Sequence, residues 1–173
     1  MNTTSISASD VPLNVQGLPT LYGSQGSWCA WVTALPLPHT ARFRGATARA
    51  ASPGYAKADR IAETGGVIVY LENDDGSGGA PDAVMIEAAR RLLENDAVLS
   101  RAVLDAILAD LPSLRAIENA TVLADDVFRL PERWDEDTLL PLVRLNSINL
   151  YPVPSGPYIG LDFSCAWEDE HGY

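Results

Sequence analysis

The densest set of side chains capable of chemistry lies near the C-terminus, where Glu168-Asp169-Glu170-His171 follows a segment carrying Asp162. Three consecutive carboxylates and an imidazole offer hard oxygen donors and one nitrogen donor to a divalent cation, and the same charges can steer a basic protein. A metal site draws its ligands from several chain segments, and no companion set stands out here. His39, the other histidine, sits among prolines with no partner that spacing identifies. Asp162, Glu168, Asp169, Glu170 and His171 are therefore read as a candidate partner-binding surface, with no metal, cofactor or catalytic residue assigned. The competing reading is a metal-assisted hydrolase using Asp162, Glu170 and His171, which expects a stoichiometric divalent ion and thermal stabilisation when that ion is added.

The nucleophiles are less promising. Cys29 lies 142 residues before His171, inside the spacing that papain-like enzymes show, but only four after Gln25, an interval too short for that family. Such a thiol is activated by opening a long helix, whereas Pro36 and Pro38 break this segment. The C-G-S-C-W signature is absent, and no Asn follows His171 to orient its ring. Cys29 is read instead as a small apolar residue in a strand. Gly23-Ser24-Gln25-Gly26 is not G-x-S-x-G. The loop at residues 73–79 lacks the Lys-Ser/Thr of a phosphate loop, and Asp74 and Asp75 would repel phosphate. As a calcium loop with Gly78 at the sixth position, its twelfth is Val84 where a bidentate Glu is required.

Charge narrows the partner class. The chain of 173 residues has 12 basic and 23 acidic side chains, a net charge of -11. Residues 1–60 hold five bases against two acids, net +3, and residues 61–173 hold seven bases against 21 acids, net -14. Affinity for nucleic acid and for anionic membranes comes from Lys and Arg, so both are excluded as expected partners and a basic protein is favoured. Residues 1–16 lack the basic and apolar regions of a signal peptide, and no run approaches the 18 or more apolar residues of a membrane span. The expected location is cytoplasmic, with Cys29 and Cys165 reduced; spacing alone does not decide whether the two are close.

The elements that must position these residues follow from pattern. Residues 1–20, rich in Ser, Thr and Asn, are read as a flexible arm, and residues 21–173 as one α+β domain. Strands are expected at residues 27–34 and 66–72, the second a buried β-branched run. Two helices follow. The first has Pro81 and Asp82 at its start and Val84, Met85, Ala88, Ala89 and Leu92 at helical spacing. The second is capped by Asp96, has an apolar arc wide enough to pack on more than one side, and is stopped by Pro112. Residues 139–145 suggest a short helix compromised by Pro141. A hairpin closes the pattern, with strands at residues 147–153 and 158–168 around Pro154-Ser155-Gly156-Pro157. In the last strand Ile159, Leu161, Phe163, Cys165 and Trp167 alternate with Gly160, Asp162, Ser164, Ala166 and Glu168, so one face is core and the other polar. The expected fold is an antiparallel sheet with this hairpin packed against two central helices.

The segment Tyr158-Ile159-Gly160-Leu161-Asp162-Phe163-Ser164-Cys165-Ala166-Trp167-Glu168-Asp169-Glu170-His171-Gly172 resembles the C-terminal signature Y-[VI]-G-[FL]-x-[FL]-x-C-x-W-[DE]-x-E-H-G of an uncharacterised bacterial domain family. Residues 27–36, 92–98, 102–104 and 142–145 resemble its upstream segments. The resemblance brings no activity, cofactor or catalytic residue, and implies a small acidic protein of the immunity or accessory kind. The family pattern continues past the His-Gly pair with another strand, whereas this sequence ends at Tyr173. The resemblance thus implies a sheet lacking its final strand, with the edge of the 158–168 strand left for a partner, or the acid cluster acting as a turn between two strands. Together these readings point to a non-enzymatic interaction module that binds a basic protein.

Overall fold

A computed structural model describes residues 12–23, 30–45, 65–72, 80–120 and 133–165. Five strands form one sheet in the order β1 (Tyr22–Gly23), β2 (Ala30–Leu35), β3 (Val67–Glu72), β4 (Val143–Tyr151) and β5 (Tyr158–Cys165). Three α-helices are described, α1 (Ala83–Glu94), α2 (Asp96–Ala120) and the single turn α3 (Glu136–Leu139). The architecture is α+β, as the pattern of strands and amphipathic helices implies.

The sheet is mixed, not wholly antiparallel. β1–β2, β2–β3 and β4–β5 pair antiparallel, but β3 and β4 run parallel, with Val69 opposite Ile148 and Leu71 opposite Leu150. Antiparallel strands can be joined by a tight turn, whereas parallel strands need a crossover. All three helices lie in the connection between β3 and β4, and they return the chain to the end of the sheet from which β3 started.

Alternation along the strands separates two faces. Leu35, Val67, Val69, Leu71, Ile148 and Leu150 point to one side, where Met85, Ala88, Ala89 and Leu92 of α1 complete a core. Each such aliphatic side chain contributes about 1.5–3 kcal/mol on leaving water. Farther along β4 and β5, Val103 and Leu104 of α2 pack with Phe43, Leu139, Val143, Phe163 and Cys165. Phe43 and Phe163 meet edge to face, centroids 5.7 Å apart. Among the described residues of α2, Val103 and Leu104 are buried, Leu99 packs against both clusters, Ile107 and Leu108 pack against the second, and Ala106 is exposed.

Local signals hold at some boundaries and yield at others. Asp82 caps α1, accepting the Val84 amide at 3.0 Å. Pro112 does not stop α2, which continues to Ala120. Proline removes one amide donor and crowds the preceding turn, and here a run of good helix formers on both sides outweighs that local penalty. Asp96 does not cap its own helix, because its carboxylate is committed elsewhere. It accepts the backbone amides of His39 and Thr40 and the Thr40 hydroxyl, at 2.7, 2.9 and 2.6 Å. The short helix expected at residues 139–145 is displaced toward the N-terminus. It is α3 followed by a 3-10 turn, Leu140–Leu142, and Val143 already begins β4. Asp135 and Thr138 form a reciprocal capping box that starts α3.

Within the stretch read as an arm, residues 12–21 fold back on themselves. Leu13 bridges Leu21, Arg90 donates to the Gln16 carbonyl at 2.6 Å, and Leu13, Val15 and Leu18 pack against the main core. Residues 1–11 lie outside the described residues.

Candidate partner-binding face

The sheet face opposite the helices is where Asp162 sits. Asp162 on β5 pairs with Ser147 on β4, beyond a bulge that falls between Leu145 and Ser147. A bulge inserts one unpaired residue, and Asn146 uses its freedom to donate to the Ser164 hydroxyl at 2.8 Å. With the bulge absorbed, Arg144, Ser147, Asn149 and Tyr151 of β4 share this face with Tyr158, Gly160, Asp162 and Ser164 of β5. The alternation of β5 is therefore as the sequence implies, with Phe163 and Cys165 buried on the core side.

Parallel pairing of β3 extends this face to residues remote in sequence. Tyr70 lies opposite Asn149, and Glu72, two residues on, faces the same way as Tyr70. Glu72 and Tyr151 are neighbours on this face, and the phenol favours the ionised form of the carboxylate. Burial pushes the Glu72 carboxyl above its ordinary value, and the Tyr151 phenol offsets part of that rise. Tyr151 is pushed up by its own burial, then by Glu72, then by Asp162 and Tyr158. Two carboxylates, Glu72 and Asp162, thus act on the Tyr151 phenol.

Gly160 makes the geometry possible. A Cβ at this position would stand 2.9 Å from Cε2 of Tyr151, so the edge of the Tyr151 ring occupies the space that a side chain on β5 would fill. Tyr158, opposite Tyr151 across the hairpin, places its ring centroid 6.1 Å away at a tilt of 43°. The hairpin turn follows at once, closed by the Gly156 amide donating to the Val153 carbonyl at 2.9 Å, with Gly156 at a φ of +122° that L side chains rarely adopt. Tyr158 is 61% exposed on this face, whereas Ile159, 40% exposed, lies opposite Leu150 on the helix side.

The opposite end of the face is basic. An isolated antiparallel bridge sets Arg44 directly across from Arg144, and Ser164 lies on the other side of Arg144. Arg44 turns its guanidinium to the Gly65 carbonyl at 3.0 Å. Seven residues of strand separate Arg144 from Tyr151, about 20 Å, well beyond the screening length at physiological salt.

Of the residues singled out by the sequence, the structure places Asp162 on this face; Glu168, Asp169, Glu170 and His171 lie outside the described residues, as do Cys29, Ser24 and the 73–79 loop. His39 is exposed, and what it contributes is its backbone: the amide to Asp96, and the carbonyl to the Ser100 hydroxyl at 2.9 Å. Among the described residues no group of three or more His, Cys, Asp or Glu side chains could hold a metal ion, and no helix is long and apolar enough to cross a membrane. Glu72 and Tyr151 escaped sequence reading. The alternation of Ser147, Asn149 and Tyr151 with Ile148 and Leu150 marked the polar face of β4, but only the parallel register brings Glu72 to it.

The described residues form a mixed α+β sheet with a helical crossover between β3 and β4; on the face opposite the helices Val32, Ala34 and Ile68 form a small apolar cluster, and the polar and aromatic residues lie toward β4 and β5. Residues 62–173 match the family described as Domain of unknown function (DUF6985), and the chain belongs to that family. No curated protein and no solved structure matches the chain.

Proposed function

We propose that this protein is a non-enzymatic interaction module that docks a basic protein through the β4–β5 hairpin and the acidic residues around it. The observation that carries this reading is the hairpin end, where Tyr158, 61% exposed, stands opposite Tyr151 on the face that holds the carboxylates of Glu72 and Asp162. An exposed aromatic ring beside charge has the composition of a contact patch, in which aromatics set dissociation while charge speeds encounter. The chain's excess of acid, -14 over residues 61–173, gives that encounter its sign. β5 ends the described sheet at one side, so strand addition is a second means of contact there. Neutralising a basic toxin in a bacterial cytoplasm is the role this mechanism would serve, the immunity-like role that the family resemblance implies.

The test is affinity capture from lysate of the source organism, eluted with a salt gradient and identified by mass spectrometry, in parallel with two variants. One reverses charge, Glu168→Lys with Glu170→Lys, and the other trims the patch, Tyr158→Ala. The reading expects one basic protein to leave stoichiometrically at raised salt, with the charge variant weakening capture and flattening its salt dependence and the trimmed variant releasing faster. Capture at low salt unchanged by both variants overturns it.

A further inference from the structure

We propose that the half-buried ring of Tyr151, walled by Tyr158 and flanked by the carboxylates of Glu72 and Asp162, seats the guanidinium of an arginine side chain on the basic partner. The inference rests on the reading that the module binds a basic protein, and it specifies where and by what chemistry.

Three observations converge on this occupant. The first is the shelf itself. Tyr151 brings the Cε2 edge of its ring against Gly160, and the Tyr158 ring is tilted at 43° beside it with centroids 6.1 Å apart. A flat π surface with an aromatic wall receives a planar cation by stacking, at the centroid distances of a few ångströms that cation–π attraction requires. The second is the placement of charge. Glu72 approaches Tyr151 from β3 and Asp162 from β5, so a cation lying over the ring meets carboxylates to either side. Guanidinium presents N–H donors in its own plane, toward both edges, and sheds water more readily than an ammonium, whose compact charge is strongly hydrated. The third is the sign of the charge: the carboxylates of Glu72 and Asp162 both disfavour ionisation of Tyr151, and Arg144, on the same strand, lies about 20 Å away. A partner's cation would lower that accumulated repulsion, which makes this end of the face complementary to positive charge in particular.

Among the described residues, several arginines are engaged elsewhere. Arg42 pairs with Glu136, Arg101 with Asp105, and Arg90 reaches the Gln16 carbonyl. Asn149, beside Gly160 on the same face, supplies a neutral hydrogen-bonding side chain next to the shelf.

The experiment is a titration of the whole chain with a hexa-arginine peptide, followed by backbone amide shifts and by binding isotherms at low salt. A hexa-lysine peptide serves as the control for charge alone. The expected result is shifts concentrated at Tyr151, Tyr158, Gly160 and Asp162, with hexa-arginine preferred to hexa-lysine. Tyr158→Ala, at an exposed position that folding does not need, is expected to weaken hexa-arginine binding about tenfold, and Asp162→Asn to do the same. Glu168→Lys with Glu170→Lys should leave the shifts at Tyr151 and Gly160 in place. Equal binding of the two peptides overturns the guanidinium assignment. Tight binding with shifts elsewhere, indifferent to Tyr158→Ala, overturns the shelf and leaves the basic-partner reading standing. No binding of either peptide at low salt overturns both.

Discussion

The Asp96 carboxylate, at the start of α2, accepts the Thr40 hydroxyl at 2.6 Å across 56 residues of chain. The same oxygen takes the Thr40 amide and the other takes that of His39, so one buried side chain satisfies three donors of the 3-10 turn at Thr40–Arg42. That turn carries Phe43 into the second core and then bridges β4 at Arg144. Asp96 thereby fixes the segment that borders the polar sheet face. Asp96→Ala is expected to strand buried donors and to cost about 3 kcal/mol, with Asp96→Asn losing less because its amide oxygen still accepts one bond. Chemical denaturation of the three proteins checks this; equal midpoints would refute the latch.

Leu104 is fully buried where α2 meets β4 and β5. Leu104→Ala removes contacts to Phe43, Val143 and Phe163 together, so collapse around the hole is limited. The expected loss is about 3 kcal/mol, seen as a lower denaturant midpoint at an unchanged slope. The exposed neighbour change Val98→Ala should move the midpoint little.

Much of this core was legible in the sequence because helices and strands advertise their buried sides at fixed periods. Met85, Ala88, Ala89 and Leu92 recur at helical spacing, and Leu161, Phe163 and Cys165 at strand spacing; both sets are directed at the core. What could not be read were the relationships decided by other parts of the chain. The direction of β3 against β4 depends on how the helical crossover returns, and that register alone sets Glu72 beside Tyr151. Asp96 looked like a cap for its own helix, and tertiary structure gave it a better use. Pro112 obeyed no local veto, because the energy of one lost hydrogen bond is small beside that of a 25-residue helix packed on the core.

Continuity through Pro112 makes a separate prediction. Pro112 is exposed and lies inside α2. Pro112→Ala restores an amide donor and relieves the crowding of the preceding turn without touching the core. The expected gain is about 2 kcal/mol, less whatever the stiffer unfolded chain had contributed. A thermal melt that fails to rise would mean that the proline's kink is needed for packing.

The raised Glu72 carboxyl makes folding depend on pH with a definite sign. A group that holds its proton more tightly in the folded state favours folding when protonated, and that contribution is lost as pH rises through its folded value. Stability should therefore fall between the ordinary glutamate range and the higher value that burial imposes on Glu72. Glu72→Gln should abolish that particular decline while keeping the side chain's shape. The check is the difference in unfolding free energy between the two proteins across the mildly acidic range; a constant difference would mean that burial does not perturb Glu72.

Gly160→Ala tests whether the sheet face is a built arrangement or a chance neighbourhood. The added Cβ would stand 2.9 Å from Cε2 of Tyr151, so the ring must lift or swing. Backbone strain is not at issue, because Gly160 sits within β5 in extended conformation. The displaced phenol would no longer favour the ionised form of Glu72. Since the phenol holds the Glu72 carboxyl down against the effect of burial, its displacement should raise the Glu72 titration further. Tyr151→Phe removes the same hydroxyl without moving the ring, and should raise it likewise with less loss of stability. Carboxyl titration of Glu72 by NMR in the three proteins separates the cases. A higher value in both variants establishes that Gly160 holds Tyr151 in place for Glu72, and an unchanged value in Tyr151→Phe would show that the phenol does not act on the carboxylate at all.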